Sequence, residues 1–348
     1  MLEKFNIKPE FRANVYAHAI TFVINIMLYT ISSSFFFLWV ELASLCFIGY
    51  NNSKSKNFFD HNIRNHFIAV VLFYLIAHIA LKNNIAYLIL IFAFTYLYFI
   101  LKDNGFSKSF QLWMYIQALL IGTTFTHFSF QDKILATIFG YLEAQLILNF
   151  TLTFFKNDNS HEPELSYPKI LKIPFKNFIS LKNNTVLLAI RGAISAALLY
   201  AVCISLHDLK PNWAVVVVVS CLQRDDSIAS TRAIKGTAIG SIIGWPISVG
   251  ILNIFSHNIT LCTLLLWILI IFAFMVSLEQ VRNPTLNRQI ILTVLFLSIL
   301  TCVATSLHSS SYSYIHLKIF NSLAGVSTAF CALFLWNKSK LWYNPVMM

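Results

Sequence analysis

Long apolar segments that are nearly free of charge constrain this chain more than any other feature of its sequence. Most run for about 17–24 residues, which suits helices that cross a hydrocarbon core, and they lack the alternation of barrel strands. Hydrophobic residues make up 57% of the chain and charged residues 11%, against roughly 25% charged residues in soluble proteins. The sequence therefore predicts an all-α polytopic membrane protein.

The apolar segments divide the chain into two blocks of six transmembrane helices each. A polar stretch rich in proline and lysine, 156–184, separates a first block at 1–155 from a second at 185–337, and a cytoplasmic tail follows at 338–348. We expect the linker at the cytoplasmic membrane surface, with its lysines toward anionic lipid. The twelve predicted helices are 13–31, 35–50, 66–81, 85–101, 110–127, 134–155, 185–206, 213–223, 233–255, 259–278, 288–306 and 314–336.

The distribution of basic residues predicts that both termini face the cytoplasm. With the N-terminus inside, the predicted outer turns contain only Lys82, Lys133 and Lys210. The other basic turns, the linker and both ends then fall on the inner side, which is the asymmetry expected of cytoplasmic loops. The net charge of +11 is explained in this way without nucleic acid, which we do not expect as a partner.

The two blocks have the layout of a diverged parallel repeat. Trp39 near the start of the second helix corresponds to Trp213 near the start of the eighth. Each tryptophan precedes an apolar run and a basic turn, and each block then ends in two hairpins of similar length. Such a layout predicts two halves of the same topology, related by an axis along the membrane normal.

The stretch from Arg191 to Trp245 is the most informative part of the second block. A short apolar helix leads to a basic turn, Arg224 to Lys235, and then to small residues at helical spacing, Gly236, Gly240 and Gly244. Small residues every fourth position allow two helices to approach closely, or leave room for a passing solute. The basic turn is either a positive-inside signal or the inner mouth of an anion path.

Four ionisable residues are predicted inside the membrane: Glu41, Glu143, Arg191 and Lys318. Each is costly to insert, so each marks a functional hypothesis. One interpretation is a polar pathway in which Glu143 and Glu41 carry coupling protons while Arg191 or Lys318 holds an anion. The other is structural, with ion pairs between helices or, for Lys318, a side chain extended toward the interface.

Signatures of soluble enzymes and of cofactor sites are missing from the sequence. It contains no phosphate-binding G-x-x-x-x-G-K-[ST], no H-E-x-x-H and no G-x-S-x-G. The six cysteines form no C-x-x-C pair, and His61 and His66 are assigned to a solvated loop rather than to a metal. We therefore expect neither catalysis, nor a cofactor, nor a bound metal.

The run from Pro211 to Trp245 resembles the signature of the fusaric acid resistance or aromatic acid exporter family. The matching positions are Arg191, Trp213-Ala214, Gln223, Arg232 and the Gly-Thr-x-x-Gly motif at 236–240. Together with the basic turn, they assign an anion path to Arg191, Trp213, Gln223, Arg224, Thr231, Arg232, Lys235, Gly236, Thr237 and Gly240.

The resemblance implies a multi-pass transporter of the bacterial inner membrane that exports organic or aromatic acid anions using the proton gradient. Its partners would be membrane lipid, a small organic anion, and a second copy of the chain or an accessory efflux protein. Two alternatives stay open. One is a passive anion channel that uses the same path, and the other is a membrane scaffold that transports nothing and acts through a partner protein.

Overall fold

The described part of the chain is entirely helical. The computed structural model describes residues 9–32, 34, 36–48, 61–103, 129–154, 184–206, 211–222, 227–255, 258–282, 284–306 and 312–343. These residues contain eleven α-helices. They are α1 (Pro9–Ser32), α2 (Phe36–Ile48), α3 (His61–Ala80), α4 (Asn84–Asp103), α5 (Phe130–Phe154), α6 (Asn184–Ser205), α7 (Pro211–Leu222), α8 (Ser227–Phe255), α9 (Ile259–Arg282), α10 (Leu286–Ser306) and α11 (Tyr312–Tyr343).

The helical class predicted from the sequence is confirmed. Every predicted segment except 110–127 coincides with one of these helices, and that segment lies outside the described residues, as does the linker up to 183. Six helices are long and apolar enough to cross a membrane. They contain the windows Asn14–Ser32, Asn84–Leu101, Phe130–Phe154, Thr185–Ser205, Ile228–Phe255 and Ile315–Leu335. The protein is therefore a multi-pass helical membrane protein.

Apolar side chains cover the outer faces of these helices. On α3, Ile68, Leu72, Ile76 and Ile79 are all exposed and recur every three or four residues. Residues at that spacing form one stripe along a helix. A continuous exposed apolar stripe on a membrane helix is the surface that contacts lipid tails.

Two helices are much shorter than the rest. α2 has 13 residues and α7 has 12, so each is about 20 Å long, compared with about 30 Å for the hydrocarbon core. Both are nonetheless largely buried, and ten of the twelve α7 residues are enclosed by other helices. Their place is thus in the interior of a block, where protein rather than lipid surrounds them.

Three predicted helix boundaries are wrong, and the cause is the same each time. α3 begins at His61 and α8 at Ser227, so His61, Thr231 and Arg232 lie on helices rather than in loops. Hydropathy marks where a segment enters the apolar slab, whereas a helix continues into water as long as its residues are compatible with helix.

Lys133 provides the third correction. The sequence assigned it to an outer turn, but α5 begins three residues earlier. Ser129 and Asp132 form reciprocal hydrogen bonds at the helix start: Ser129 N donates to Asp132 Oδ2 at 3.0 Å, and Asp132 N donates to Ser129 Oγ at 3.1 Å. This arrangement is a capping box with aspartate in place of glutamate, and it places Lys133 inside the helix, where the side chain is fully buried.

The chain separates into two compact units, Met1–Ala189 and Ile190–Met348. In the first unit α2 packs mainly against α5, and α1 packs against both. In the second unit α8 packs along α10, α9 also packs against α10, and α11 contacts α7 and α8. The unit boundary lies within α6, a few residues after the boundary predicted from the sequence.

Candidate functional site

Three helices of the first unit bring two carboxylates and one amide together. Asn25 lies on α1, Glu41 on α2 and Glu143 on α5. Asn25 Nδ2 lies 2.9 Å from Glu41 Oε2, and 2.9 and 2.8 Å from Glu143 Oε1 and Oε2. The same nitrogen is 3.1 Å from the Thr21 carbonyl oxygen. One neutral amide therefore connects both acidic residues that the sequence proposed for proton coupling.

Ser44 completes this group, which we call the carboxyl cluster: Asn25, Glu41, Ser44 and Glu143. The Ser44 hydroxyl lies within hydrogen-bonding distance of Glu143 Oε2 and 3.2 Å from the Gly140 carbonyl oxygen. Ser44 follows Glu41 by three residues on α2, so both side chains lie on the same face of that helix. α2 thus contributes one acidic and one hydroxyl group to the cluster.

Gly140 allows α5 to approach α2 closely enough for these contacts. A methyl group at Gly140 would lie 2.7 Å from the Val40 carbonyl oxygen and 2.9 Å from the Ser44 amide nitrogen. Both neighbours are backbone atoms, which cannot move aside as a flexible side chain can. A side chain at position 140 would therefore separate the two helices that carry Glu41 and Glu143.

The cluster is buried and contains two acidic side chains. Asn25 is 1% and Glu41 3% exposed, while Glu143 is half-buried. Within the described residues, the neutral side chains of Asn25, Ser44 and Thr21 provide hydrogen bonds to the two carboxylates, and no lysine, arginine or histidine pairs with either. Two neighbouring carboxylates in a low-dielectric interior repel each other strongly. Binding a proton or another cation relieves that repulsion.

In the second unit, Arg191 and Trp213 are both buried. Arg191 lies on α6, where its carbonyl oxygen accepts a hydrogen bond from Ser195 Oγ at 2.7 Å. Trp213 lies in the first turn of α7, donates from Nε1 to Ser322 Oγ at 3.2 Å and stacks on Phe296 with the ring centroids 5.2 Å apart. Trp213 thereby joins α7 to both α10 and α11.

The polar start of α8 carries the other predicted anion-path residues. Thr231 and Arg232 are half-buried and Lys235 is exposed. Arg232 Nη1 donates to the Pro284 carbonyl oxygen at 2.7 Å, which connects α8 to the turn between α9 and α10. Thr237 lies one turn further on, with its Oγ1 4.0 Å from Cys221 Sγ. Gln223 and Arg224 lie outside the described residues.

The small residues of α8 are in close contact with α10. Methyl groups at Gly236, Gly240 and Gly244 would lie 2.5 to 2.8 Å from side-chain atoms of Gln289, Thr293 and Leu297, respectively. The face that the glycines form is thus occupied by α10. Of the two interpretations offered by the sequence, close helix packing describes these contacts, and a solute path past these glycines stays a prediction.

Asn25, Ser44 and Gly140 were missed by reasoning from the sequence. Candidate residues were the ionisable side chains in apolar segments, whereas Asn25, Ser44 and Gly140 are uncharged. Asparagine inside a membrane helix is also costly without a partner, so Asn25 in the middle of the apolar segment 13–31 was a usable signal. Gly140 gave a second one, because it lies three residues before Glu143 in a predicted membrane helix.

Comparison with protein families identifies the second unit. The chain is first of all a multi-pass helical protein, and residues 193–332 match the family model described as fusaric acid resistance protein-like. The resemblance predicted from the motif is confirmed over those residues, which make up less than half of the chain. Neither the curated proteins nor the solved structures give a match. Family and apolar helices together indicate a membrane transporter.

Proposed function

We propose that the protein exports organic or aromatic acid anions across a bacterial inner membrane, driven by the proton gradient. The observation that carries this proposal is the match of residues 193–332 to the fusaric acid resistance protein-like family, whose name refers to an organic acid. The multi-pass helical structure supports the same conclusion.

Two cationic residues of the second unit bind the anion in this proposal. Lys235 is exposed at the polar start of α8 and attracts anions from the cytoplasm. Arg191, buried on α6, holds the carboxylate more deeply. Arg232 acts mainly in positioning, because its guanidinium holds the α9–α10 turn through Pro284. Thr231 is a further residue of the proposed anion path, as are Gln223 and Arg224, which lie outside the described residues.

The carboxyl cluster is the proton-coupling site of the proposed transporter. Glu41 and Glu143 share one amide donor, so they bind a proton as one unit rather than as two separate acids. Burial and the absence of a cationic partner within the described residues support this role.

The proposed topology has twelve membrane segments, with both termini in the cytoplasm and two diverged six-helix copies. The distribution of basic residues supports the orientation. The pairing of a short, buried helix with a glycine of the last helix in each block supports the repeat. A second copy of the chain or an accessory efflux protein completes the transporter.

Flux measurements in proteoliposomes test this proposal. Purified protein is reconstituted, a pH gradient is imposed, and uptake of benzoate or fusaric acid is followed. We expect Arg191→Gln and Lys235→Gln each to lower gradient-dependent flux at least about tenfold, as removal of a charged hydrogen bond from a binding site does. Lys82→Gln, at an exposed turn of the first unit, is the matched control and should transport normally.

The outcomes separate the alternatives. Normal transport by both neutral variants would show that the anion site lies elsewhere. Large currents that persist without a pH gradient would identify a passive anion channel. A complete lack of flux for organic anions, together with a stable co-purifying protein, would identify a scaffold.

A further inference from the structure

We infer that the carboxyl cluster is also a sodium site, in which Na⁺ competes with protons for Glu41 and Glu143. The inference deepens the proposed function, and it rests on that function only for its consequence in transport. Binding itself follows from the cluster's own atoms.

The chemistry of the ligands favours a hard cation. Both carboxylates, the Asn25 carbonyl oxygen and the Ser44 hydroxyl offer oxygen atoms, and oxygen ligands suit alkali and alkaline-earth ions rather than soft metals. The described residues contain no group of three histidine, cysteine or acidic side chains placed to hold a metal. The cluster has fewer acidic ligands than the set typical of a Ca²⁺ site, which is why we propose a monovalent ion.

Two buried oxygen atoms in the cluster have no hydrogen-bond partner among the described residues. Glu41 Oε1 and Asn25 Oδ1 are both shielded from solvent and accept no hydrogen bond. The two residues are 3% and 1% exposed, so water does not reach these atoms from outside. An unpartnered buried oxygen is costly, and an ion held between such oxygen atoms would satisfy both.

The Asn25 amide nitrogen has more hydrogen-bond acceptors around it than it has hydrogens to donate. Four oxygen atoms lie within 3.1 Å of Nδ2, but an amide nitrogen has only two hydrogens to donate. The terminal torsion of asparagine is soft, and the two ends of its amide are nearly equal in size. A half turn of the Asn25 amide would point Oδ1 at both carboxylates. The Nδ2 donor, which cannot satisfy all four oxygen atoms, would then be replaced by an oxygen atom that can bind a cation.

Asn25 therefore acts as a switch between two occupied forms. With Nδ2 inward, the amide donates to a pair of carboxylates that shares a proton. With Oδ1 inward, the amide, Glu41 and Glu143 surround Na⁺. The same two carboxylates serve both forms. Na⁺ and the shared proton therefore cannot occupy the cluster at the same time.

Other titratable groups lie on the helices packed around the cluster, and they set the background for any pH dependence. Those whose side chains are described are Tyr16, His18 and Tyr29 on α1, Cys46 on α2, Asp132, Lys133 and Tyr141 on α5, and Arg64, His66, Tyr74 and His78 on α3. A pH effect assigned to the cluster must accordingly disappear in variants of Glu41 and Glu143.

Equilibrium binding of ²²Na⁺ to the purified, detergent-solubilised full-length protein tests the inference. We expect saturable binding of one Na⁺ per chain against a choline chloride background. The apparent dissociation constant should rise about tenfold for each pH unit of acidification in the competing range, as one-for-one competition requires. Glu41→Gln and Glu143→Gln should abolish binding, and Ser44→Ala should weaken it several-fold.

Asp132→Asn provides the matched control, because that carboxylate caps α5 and takes no part in the cluster. It should bind Na⁺ like the unaltered protein. Size-exclusion chromatography and circular dichroism establish that each variant is folded, and Ser44→Ala keeps both carboxylates if a glutamine variant does not fold.

Absence of saturable ²²Na⁺ binding by the folded, unaltered protein would overturn the inference, and so would unchanged binding by the Glu41→Gln, Glu143→Gln double variant. Sodium binding without anion flux would refute the proposed function and leave the sodium site intact. Anion flux without sodium binding would refute the sodium site and leave the proposed function intact.

Discussion

The first and second units contain the same contact between a glycine and a short helix, in different chemical surroundings. In the first unit Gly140 of α5 meets Val40 and Ala43 of α2, and in the second Gly325 of α11 meets Ala214 and Val217 of α7. Counted from Trp39 and Trp213, these are the first and fourth following residues in both cases. A buried lysine also precedes each glycine by seven residues, Lys133 in α5 and Lys318 in α11.

The chemistry at corresponding positions differs. Two residues after Trp39 is Glu41, whereas Val215 follows Trp213 at the same interval. Five residues after each tryptophan are Ser44 and Val218, and three residues after each glycine are Glu143 and Thr328. The contact thus does not require acidic residues, since α7 and α11 form it with apolar and hydroxyl side chains. The contact between the glycine and the short helix forms without the carboxylates of the first unit. Because helix packing does not need them, we assign these carboxylates to function.

Placing an acidic residue in the second unit should produce the largest effect. Val215 is fully buried, and Val215→Glu introduces a carboxylate into a helix whose other buried side chains are mostly apolar. We expect the free energy of unfolding in mixed detergent–SDS micelles to fall by about 3 kcal/mol. Val215→Gln introduces a side chain of the same size as glutamate but without the charge. Its free energy of unfolding should fall distinctly less than that of Val215→Glu. Equal losses would mean that volume, not charge, distinguishes the two units.

Adding a methyl group at either glycine should produce the next largest effect. Gly140→Ala and Gly325→Ala bring a Cβ within 2.9 Å of backbone atoms of the short helix, so each should lower the unfolding free energy by about 1–3 kcal/mol. Gly250→Ala on α8 is the control, because no atom lies within 4 Å of the added carbon. At Gly250 the added methyl group should be neutral or stabilising, because alanine favours the helix. A loss at Gly250 equal to that at the other two would therefore show that helix contact is not the cause.

The smallest effect concerns the tryptophan of the second unit. Trp213→Phe removes the hydrogen bond to Ser322 and keeps an aromatic ring against Phe296, so the unfolding free energy should fall by about 1 kcal/mol. Ser322→Ala should have a similar effect, and the double variant should lose little more than either single one. Additive losses in this double-mutant cycle would contradict a direct bond between the two side chains.

The positions of the helices could be predicted from the sequence, because an apolar segment of sufficient length has to be helical in a membrane. The polar starts of α3 and α8 could not, since His61 and Ser227 lie outside the apolar slab, where hydropathy carries no information on helix ends. Glu41 and Glu143 were each identified singly. Their association was not predictable, because the partners are distant in sequence: Ser44 and Glu143 are 99 residues apart.

The same holds for the small residues of α8. Their spacing predicted a close helix neighbour or a solute path, and both require glycine. Only the position of α10 distinguishes the two, and the residues that meet Gly236 and Gly240 carry no complementary pattern that the sequence alone reveals.

The position of Asn25 also has a consequence for how the protein is synthesised. Asn25 and Glu41 are 16 residues apart and bond within the first helical hairpin, whereas Asn25 and Glu143 are 118 residues apart. At ribosomal speed, the second carboxylate emerges on the order of ten seconds after the first. The nascent α1–α2 hairpin therefore enters the bilayer with its own polar partner for Glu41. Asn25 thus hydrogen-bonds to Glu41 alone during translation, and it hydrogen-bonds to Glu143 as well once α5 has been synthesised.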